Sequence, residues 1–193
     1  SFHATKSFHT FEGGAITTNN TSLAQKVHQV RNFGFIDYDV VSGLGINAKM
    51  PEVCAAMGLA NLDNKDHILK KCKENYFTYK KALNKIKGLF FIEYNYEEKN
   101  NYHYIVILLD KKISNYRDEL VKNLHKHKIL ARKYFSPGVH NMLPYSQNKN
   151  TPILKNTENI SSRIVILPGG ATLTQSNILT ICEKLNNRIQ IIY

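Results

Sequence analysis

Apolar positions along the chain follow a helical period up to Gly88 and a shorter, strand-like pattern beyond it. Leu23, Val27 and Val30 repeat at helical spacing after the capping run Asn20-Thr21-Ser22, which predicts a helix ending by Gly34. Pro51 suits the first turn of a second helix carrying Val53, Cys54, Met57 and Leu59, and its Ala55-Ala56 pair permits close packing. From residue 65 to about 87, Leu69, Cys72, Tyr76, Tyr79, Leu83 and Ile86 advance by threes and fours opposite many lysines, the pattern of a long packing helix. Residues 15–18 read as a short strand and residues 35–50 as a loop.

After Gly88, apolar runs at 89–94 and 102–109 flank the polar segment 97–101 and predict a hairpin. A helix near 115–126, strands near 129–135 and 163–167, and a final helix from about Gln175 complete an α+β unit.

Hydrophobic residues make up 42% and charged residues 21% of 193, enough to bury one good core or two small ones, so disorder is not expected. No apolar run approaches the ~20 residues that cross a bilayer, and the N-terminus lacks the basic start and apolar core of a signal peptide, so a cytoplasmic protein is expected. Cys54, Cys72 and Cys182 are odd in number and widely spaced; they suggest reduced, partly buried thiols, not a disulfide framework or a zinc site. The formal net charge of +11 comes from lysines and arginines spread along the chain in runs no longer than two, which reads as a solvated basic surface and not as a nucleic-acid face.

Candidate chemistry gathers at the start. The first 14 residues are small and polar and end in Gly13-Gly14, a turn-rich stretch of the kind that builds sites. His3 and His9 flank Lys6, but neither has a spaced metal-ligating partner, so both read as structural.

Ser1-Phe2-His3-Ala4-Thr5-Lys6, followed after six residues by Gly13-Gly14-Ala15-Ile16, resembles the lysine motif of the DegT/DnrJ/EryC1/StrS aminotransferase family. The resemblance continues through Arg31-Asn32-Phe33-Gly34, Gly45-Ile46-Asn47-Ala48-Lys49-Met50, residues 52–59 and residues 132–145. Ile166-Leu167-Pro168-Gly169-Gly170 also matches, although the family usually has a polar residue between the proline and the glycine.

The resemblance implies an α/β fold: the C-terminal portion of an aspartate-aminotransferase-like (type I PLP) fold, ending in a small α+β domain. Residues 1–63 would close the cofactor-binding large domain and carry the lysine loop; residues 64–193 would form a linking helix and the small domain. The activity implied is pyridoxal-phosphate (PLP) dependent transamination of a nucleotide-linked, dTDP-type keto-deoxysugar, with L-glutamate as amino donor, for surface-polysaccharide synthesis. Lys6 matches the lysine whose neutral amine forms a Schiff base with PLP and then serves as acid and base. Ser1 matches a serine that bonds the cofactor phosphate, and Asn47 an asparagine reaching the same phosphate from a neighbouring subunit, so a homodimer with shared sites is implied. Lys49 stands where relatives place a cation near the diphosphate. Tyr134, His140 and Tyr145 fall in the segment that approaches the sugar and nucleotide. Glu12, Gly13 and Gly14 would form the turn beside the lysine.

In the family, the aspartate facing the pyridine nitrogen, the aromatic stacked on the ring and part of the phosphate loop precede the lysine. The chain opens at Ser1 without methionine, so a natural start upstream is expected, with no transaminase activity from these residues alone. Two other readings remain at this point: a non-catalytic or truncated interaction fragment, and a same-fold sugar dehydratase in which histidine replaces the lysine, against which Lys6 argues.

Overall fold

Asn20 starts the first regular element by accepting a hydrogen bond from Leu23 N at 3.0 Å, the capping role its side chain suits. In the computed structural model, which describes residues 1–148 and 150–193, this helix is α1 (Thr21–Arg31). Asn32 closes it, and Gly34 follows at φ 81°. The expected loop holds a small antiparallel hairpin of β1 (Phe35–Asp37) and β2 (Val40–Val41), too short to give a periodic pattern. Residues 15–18 form no strand; all four are exposed and, among the described residues, none has a ladder partner. Pro51 precedes α2 (Glu52–Asp63), which buries Cys54 and Gly58. These elements make up one compact unit, Ser1–Asp66.

The second unit, His67–Tyr193, takes in nearly all of α3 (Lys65–Leu83) and the main hydrophobic core. The apolar stripe read from the sequence is the buried face: Cys72, Tyr76, Tyr79 and Leu83 are at most 2% exposed. Strands β3 (Leu89–Phe91), β4 (Ile105–Leu109) and β5 (Ile164–Leu167) form an antiparallel sheet in that order. Central β4 is buried at the consecutive positions Ile107, Leu108 and Leu109, so both its faces are covered and its sequence is continuously apolar. Helix α4 (Arg117–Lys126), entered through a 3-10 turn at Lys111–Tyr116, contributes Leu120 and Leu124 to the core. The last helix, α6 (Gln175–Ile192), contributes Ile178, Leu185 and Ile189 and begins with a reciprocal capping box between Thr174 and Asn177.

Two expectations fail in this unit. Residues 129–135 form no strand: only Arg132 pairs with the sheet, exchanging hydrogen bonds of 2.9 and 2.8 Å with Ile166, before Ser136 is held back by the Arg117 guanidinium. A helix that the sequence pattern did not indicate, α5 (Lys155–Ser161), precedes β5; it is one of the shorter elements and its largely polar sequence carries no apolar stripe.

All three cysteines are free and buried. Burial pushes the thiol of Cys72 up and that of Cys182 up to about 12. No helix among the described residues is long and apolar enough to cross a membrane.

Candidate active site

The stretch around Lys6 is a closed loop. Phe2 N donates to Gly13 O at 2.8 Å and Thr10 N to Phe2 O at 2.9 Å, drawing its two ends together, while the Phe2 and Phe8 rings meet edge to face at 5.0 Å. Thr10 is 2% exposed, and its hydroxyl donates to Glu12 O at 2.7 Å. Helix α2 carries the loop: Asn61 donates to His9 O at 2.7 Å, and Thr10 packs over Gly58.

Lys6 sits on the outer turn of this loop, where its backbone N donates to His3 O at 2.9 Å. Its side chain is exposed and, among the described residues, takes no hydrogen bond or ion pair, which leaves the amine available for reaction. His3 stands beside it. Thr5 N donates to His3 Nδ1 at 3.2 Å, so the ring proton belongs on Nε2, which lies 3.5 Å from the Glu12 carboxylate. Glu12 thus helps order the loop through His3.

A second framework in this unit holds Asn47 and Lys49. Residues 43–48 cross back over the end of α1: Ile46 N donates to Val30 O at 2.7 Å, Ala48 N to Arg31 O at 2.9 Å, and Asn32 bridges to Asn47. The backbones approach so closely that a Cβ on Gly45 would overlap the main chain of Phe33 and Gly34, which explains the glycine there. Phe33 adopts φ 58°, and the Lys49 ammonium lies 3.9 Å from the centre of its ring and 3.5 Å from Asn32 Oδ1. Asn47 is exposed.

Ser1, Glu12, Gly13 and Gly14 share a cavity of about 730 Å³ with His28, Arg31 and Lys49. Lys6 and Asn47 are not among its lining residues. A hydroxyl and two glycines with two cations at one cavity, next to a loop that presents a free amine, form a donor set suited to a phosphate-bearing aldehyde. PLP therefore fits the chemistry of these residues: the Lys6 amine would meet its carbonyl, and the Ser1 hydroxyl with the Arg31 guanidinium would meet its phosphate.

In the second unit, the Tyr134 and Phe135 rings stack at 4.9 Å, and both side chains are exposed. His140 and Tyr145 come together at a cavity of about 300 Å³ that Tyr134 does not line. The His140 imidazole is turned inward, 8% exposed, with Nε2 3.2 Å from Glu158 Oε1 and 3.0 Å from Asn141 Nδ2.

Helices and sheet also steer this region through residues that carry no motif. Tyr79 donates to Pro168 O at 2.9 Å and Asn75 to Gly170 O at 2.8 Å, so α3 fixes the Pro168-Gly169-Gly170 turn by its carbonyls. Arg117, Glu158, Asn61 and Thr10 were not singled out by sequence reasoning. The Arg117-Asp118 pair at a helix start was the one visible signal; burial of its guanidinium was not.

Comparison with known proteins identifies the family. The profile of the DegT/DnrJ/EryC1/StrS aminotransferase family matches residues 1–186. The chain is 36% identical over 174 residues to the dTDP-4-amino-4,6-dideoxy-D-glucose transaminase of Shigella dysenteriae, covering 90% of this chain and 47% of that protein. An Escherichia coli protein of the same name is 31% identical over 93% of the chain and 49% of its own length. Among solved structures, Helicobacter pylori PseC, an aminotransferase involved in pseudaminic acid biosynthesis, superimposes with a TM-score of 0.92 at 27% identity, over 99% of this chain and 52% of that one. DesI, solved in the presence of its TDP-sugar product, gives 0.89 at 31% identity, over 97% and 48%.

The chain thus spans about half the length of the curated relatives it matches. Its fold is the C-terminal portion of the PLP-dependent aminotransferase fold. With the lysine loop, the Gly45 to Met50 strap and the 132–145 segment all falling within the matched residues, the chain belongs to the DegT/DnrJ/EryC1/StrS aminotransferase family.

Proposed function

We propose that this chain carries the lysine-bearing part of a PLP-dependent transaminase that aminates C4 of a dTDP-linked 4-keto-6-deoxysugar, with L-glutamate as donor, in cytoplasmic synthesis of a surface polysaccharide. The observation that supports it most is the closed loop on α2 that presents Lys6 without a competing partner. The names of the relatives at 36% and 31% identity support the dTDP sugar and the position of amination.

In this reading, residues 1–63 close the cofactor-binding large domain and residues 64–193 form the linking helix and small domain. Lys6 holds the cofactor covalently, Ser1 binds its phosphate, and Asn47 reaches the same phosphate in the other subunit of a homodimer. PLP, when bound, supplies an electrophilic carbonyl and a sink for the electron pair left at the reacting carbon. The Lys6 amine, once displaced, takes up and returns the proton at that carbon, the work of a positioned general acid and base. Glu12 and His3 keep the turn that presents it. Lys49, already steadied by Phe33 and Asn32, pairs with the diphosphate. Tyr134 and Tyr145 approach the sugar and nucleotide, with His140 beside Tyr145 in one cavity.

The test is isotope transfer. Because the chain spans about half the length of its relatives, the protein is tested together with the half that precedes these residues in the family: it is incubated with PLP, 15N-labelled glutamate and dTDP-4-keto-6-deoxyglucose, and the sugar nucleotide is analysed by mass spectrometry and NMR. Label on C4 that disappears in Lys6→Ala is the expected result. Absence of label with the wild-type protein, or label that survives Lys6→Ala, overturns the reading.

A further inference from the structure

We propose that Arg117 and Glu158 are positioning residues that clamp the 132–145 segment from two sides and so set how tightly the enzyme holds its sugar nucleotide. The inference rests on the function proposed above, since it assigns the substrate to that segment.

The first anchor is the Arg117 guanidinium, 7% exposed at the start of α4. Its Nη1 donates to Ser161 O at 2.7 Å and to Ile164 O at 3.4 Å, which fixes it to the end of α5 and the start of β5. Nη2 donates to the Ser136 hydroxyl at 2.8 Å, and Nε to Asp118 Oδ1 at 2.5 Å. Asp118 in turn receives Lys133 Nζ at 3.1 Å. The segment is therefore held at Lys133 through the exposed Asp118 carboxylate and at Ser136 through the buried Arg117 guanidinium, the two partners of one ion pair. The planar guanidinium presents its donors in a fixed fork, so one side chain reaches the segment, α5 and β5 at once.

The second anchor lies beyond Pro137. Gly138 is buried, and a Cβ there would stand 2.8 Å from both His140 Cε1 and Thr157 Cγ2. Its absence lets the imidazole fold back toward α5, where Nε2 meets Glu158 Oε1 at 3.2 Å. The same carboxylate oxygen accepts from Leu154 N at 3.4 Å. Glu158 thus joins His140 to Leu154.

Tyr134, Phe135 and Tyr145 are 37%, 63% and 58% exposed, so core packing does not orient them. The two anchors bracket residues 136–140 and leave those aromatic rings on either side. Hydrogen bonds to charged groups contribute more than neutral ones, which suits them to fixing a segment with little packing of its own.

Ser136→Ala removes the Arg117 hydrogen bond to the segment and leaves the rest of the Arg117 network in place; Glu158→Ala removes the second anchor; Glu158→Gln keeps an acceptor for His140. Backbone hydrogen exchange is followed by mass spectrometry in peptides from 132–145, with peptides from β4 and β5 as reference. The KM for the dTDP-keto-sugar and for glutamate is measured on the same substitutions made in the enzyme that also includes the half preceding these residues in its relatives. Ser136→Ala and Glu158→Ala are expected to speed exchange in 132–145 about tenfold and to raise the sugar-nucleotide KM about tenfold, each corresponding to the loss of one charge-assisted bond. Exchange in β4 and β5 and the KM for glutamate should not move, and Glu158→Gln should behave as wild type. Unchanged exchange in 132–145, or a glutamate KM that rises with the sugar KM, overturns the proposal. If the wild-type protein turns over no sugar nucleotide, the proposed function fails, and the exchange measurement still decides whether these residues hold the segment.

Discussion

Asn61 on α2 donates its side-chain amide to the carbonyl of His9 at 2.7 Å, tying the loop that carries Lys6 to a helix 52 residues further along the chain. Replacing it by leucine keeps the bulk but strands the His9 carbonyl, at a cost of ~1 kcal/mol. Asn61→Leu should lower covalent trapping of PLP at Lys6 severalfold, measured by borohydride reduction and peptide mass. Hydrogen exchange in β4 and β5 should be unchanged. Wild-type trapping in the variant would mean that the loop holds its shape without α2.

Gly45 packs against the main chain of Phe33 and Gly34 with no room for a Cβ. In Gly45→Ala the strap must shift, and Asn47 and Lys49 shift with it. The expected result is loss of the Lys49 cation–π contact, read as a changed environment of Phe33 in aromatic NMR spectra, together with a weaker affinity for dTDP. Unchanged Phe33 resonances would show that the crossing absorbs the methyl group elsewhere.

Long periodic elements were legible from sequence because their apolar stripes are their buried faces: Cys72, Tyr76, Tyr79 and Leu83 on α3 are the clearest case. The cap at Asn20 was legible too, and Pro51, expected in the first turn of α2, lies one position before it. What failed was pairing. β1 and β2 have three and two residues, and residues 129–135 have strand-like composition but meet the sheet only at Arg132. The lysine motif and the strap could be read because their residues are close in sequence. Arg117 to Ser136, His140 to Glu158 and Asn61 to His9 join residues 18 to 52 positions apart, and no local pattern announces such contacts.

Asp118 gives the fold a pH dependence with a definite sign. Partial burial raises its pKa, but hydrogen bonds from Lys133 and Arg117 outweigh that and hold the carboxyl below the usual aspartate value. A depressed folded pKa means that its contribution is complete above about pH 4 and is lost as the pH falls through the lowered value. Asp118→Asn should therefore be less stable than wild type at pH 7 by urea denaturation, with the gap narrowing below pH 4. A gap of the same size at both pH values would remove the carboxylate charge from the explanation.

Cys182 is 5% exposed, and burial pushes its thiol up to about 12, so almost none of it is thiolate near neutrality. Iodoacetamide at pH 8 should leave Cys182 unmodified in the folded protein and label it fully in urea. Native labelling at a rate near that of a free thiol would show that the core around α6 opens far more readily than its packing indicates.

Lys6 as the residue that carries the cofactor is the claim on which the functional account depends, and reductive trapping tests it most directly. The protein is mixed with PLP, reduced with borohydride, digested and mapped by mass spectrometry. One dominant pyridoxyl adduct is expected, on the peptide containing Ser1-Phe2-His3-Ala4-Thr5-Lys6, absent from Lys6→Ala. Adducts spread evenly over the exposed lysines, or a dominant adduct elsewhere that persists in Lys6→Ala, would contradict that claim.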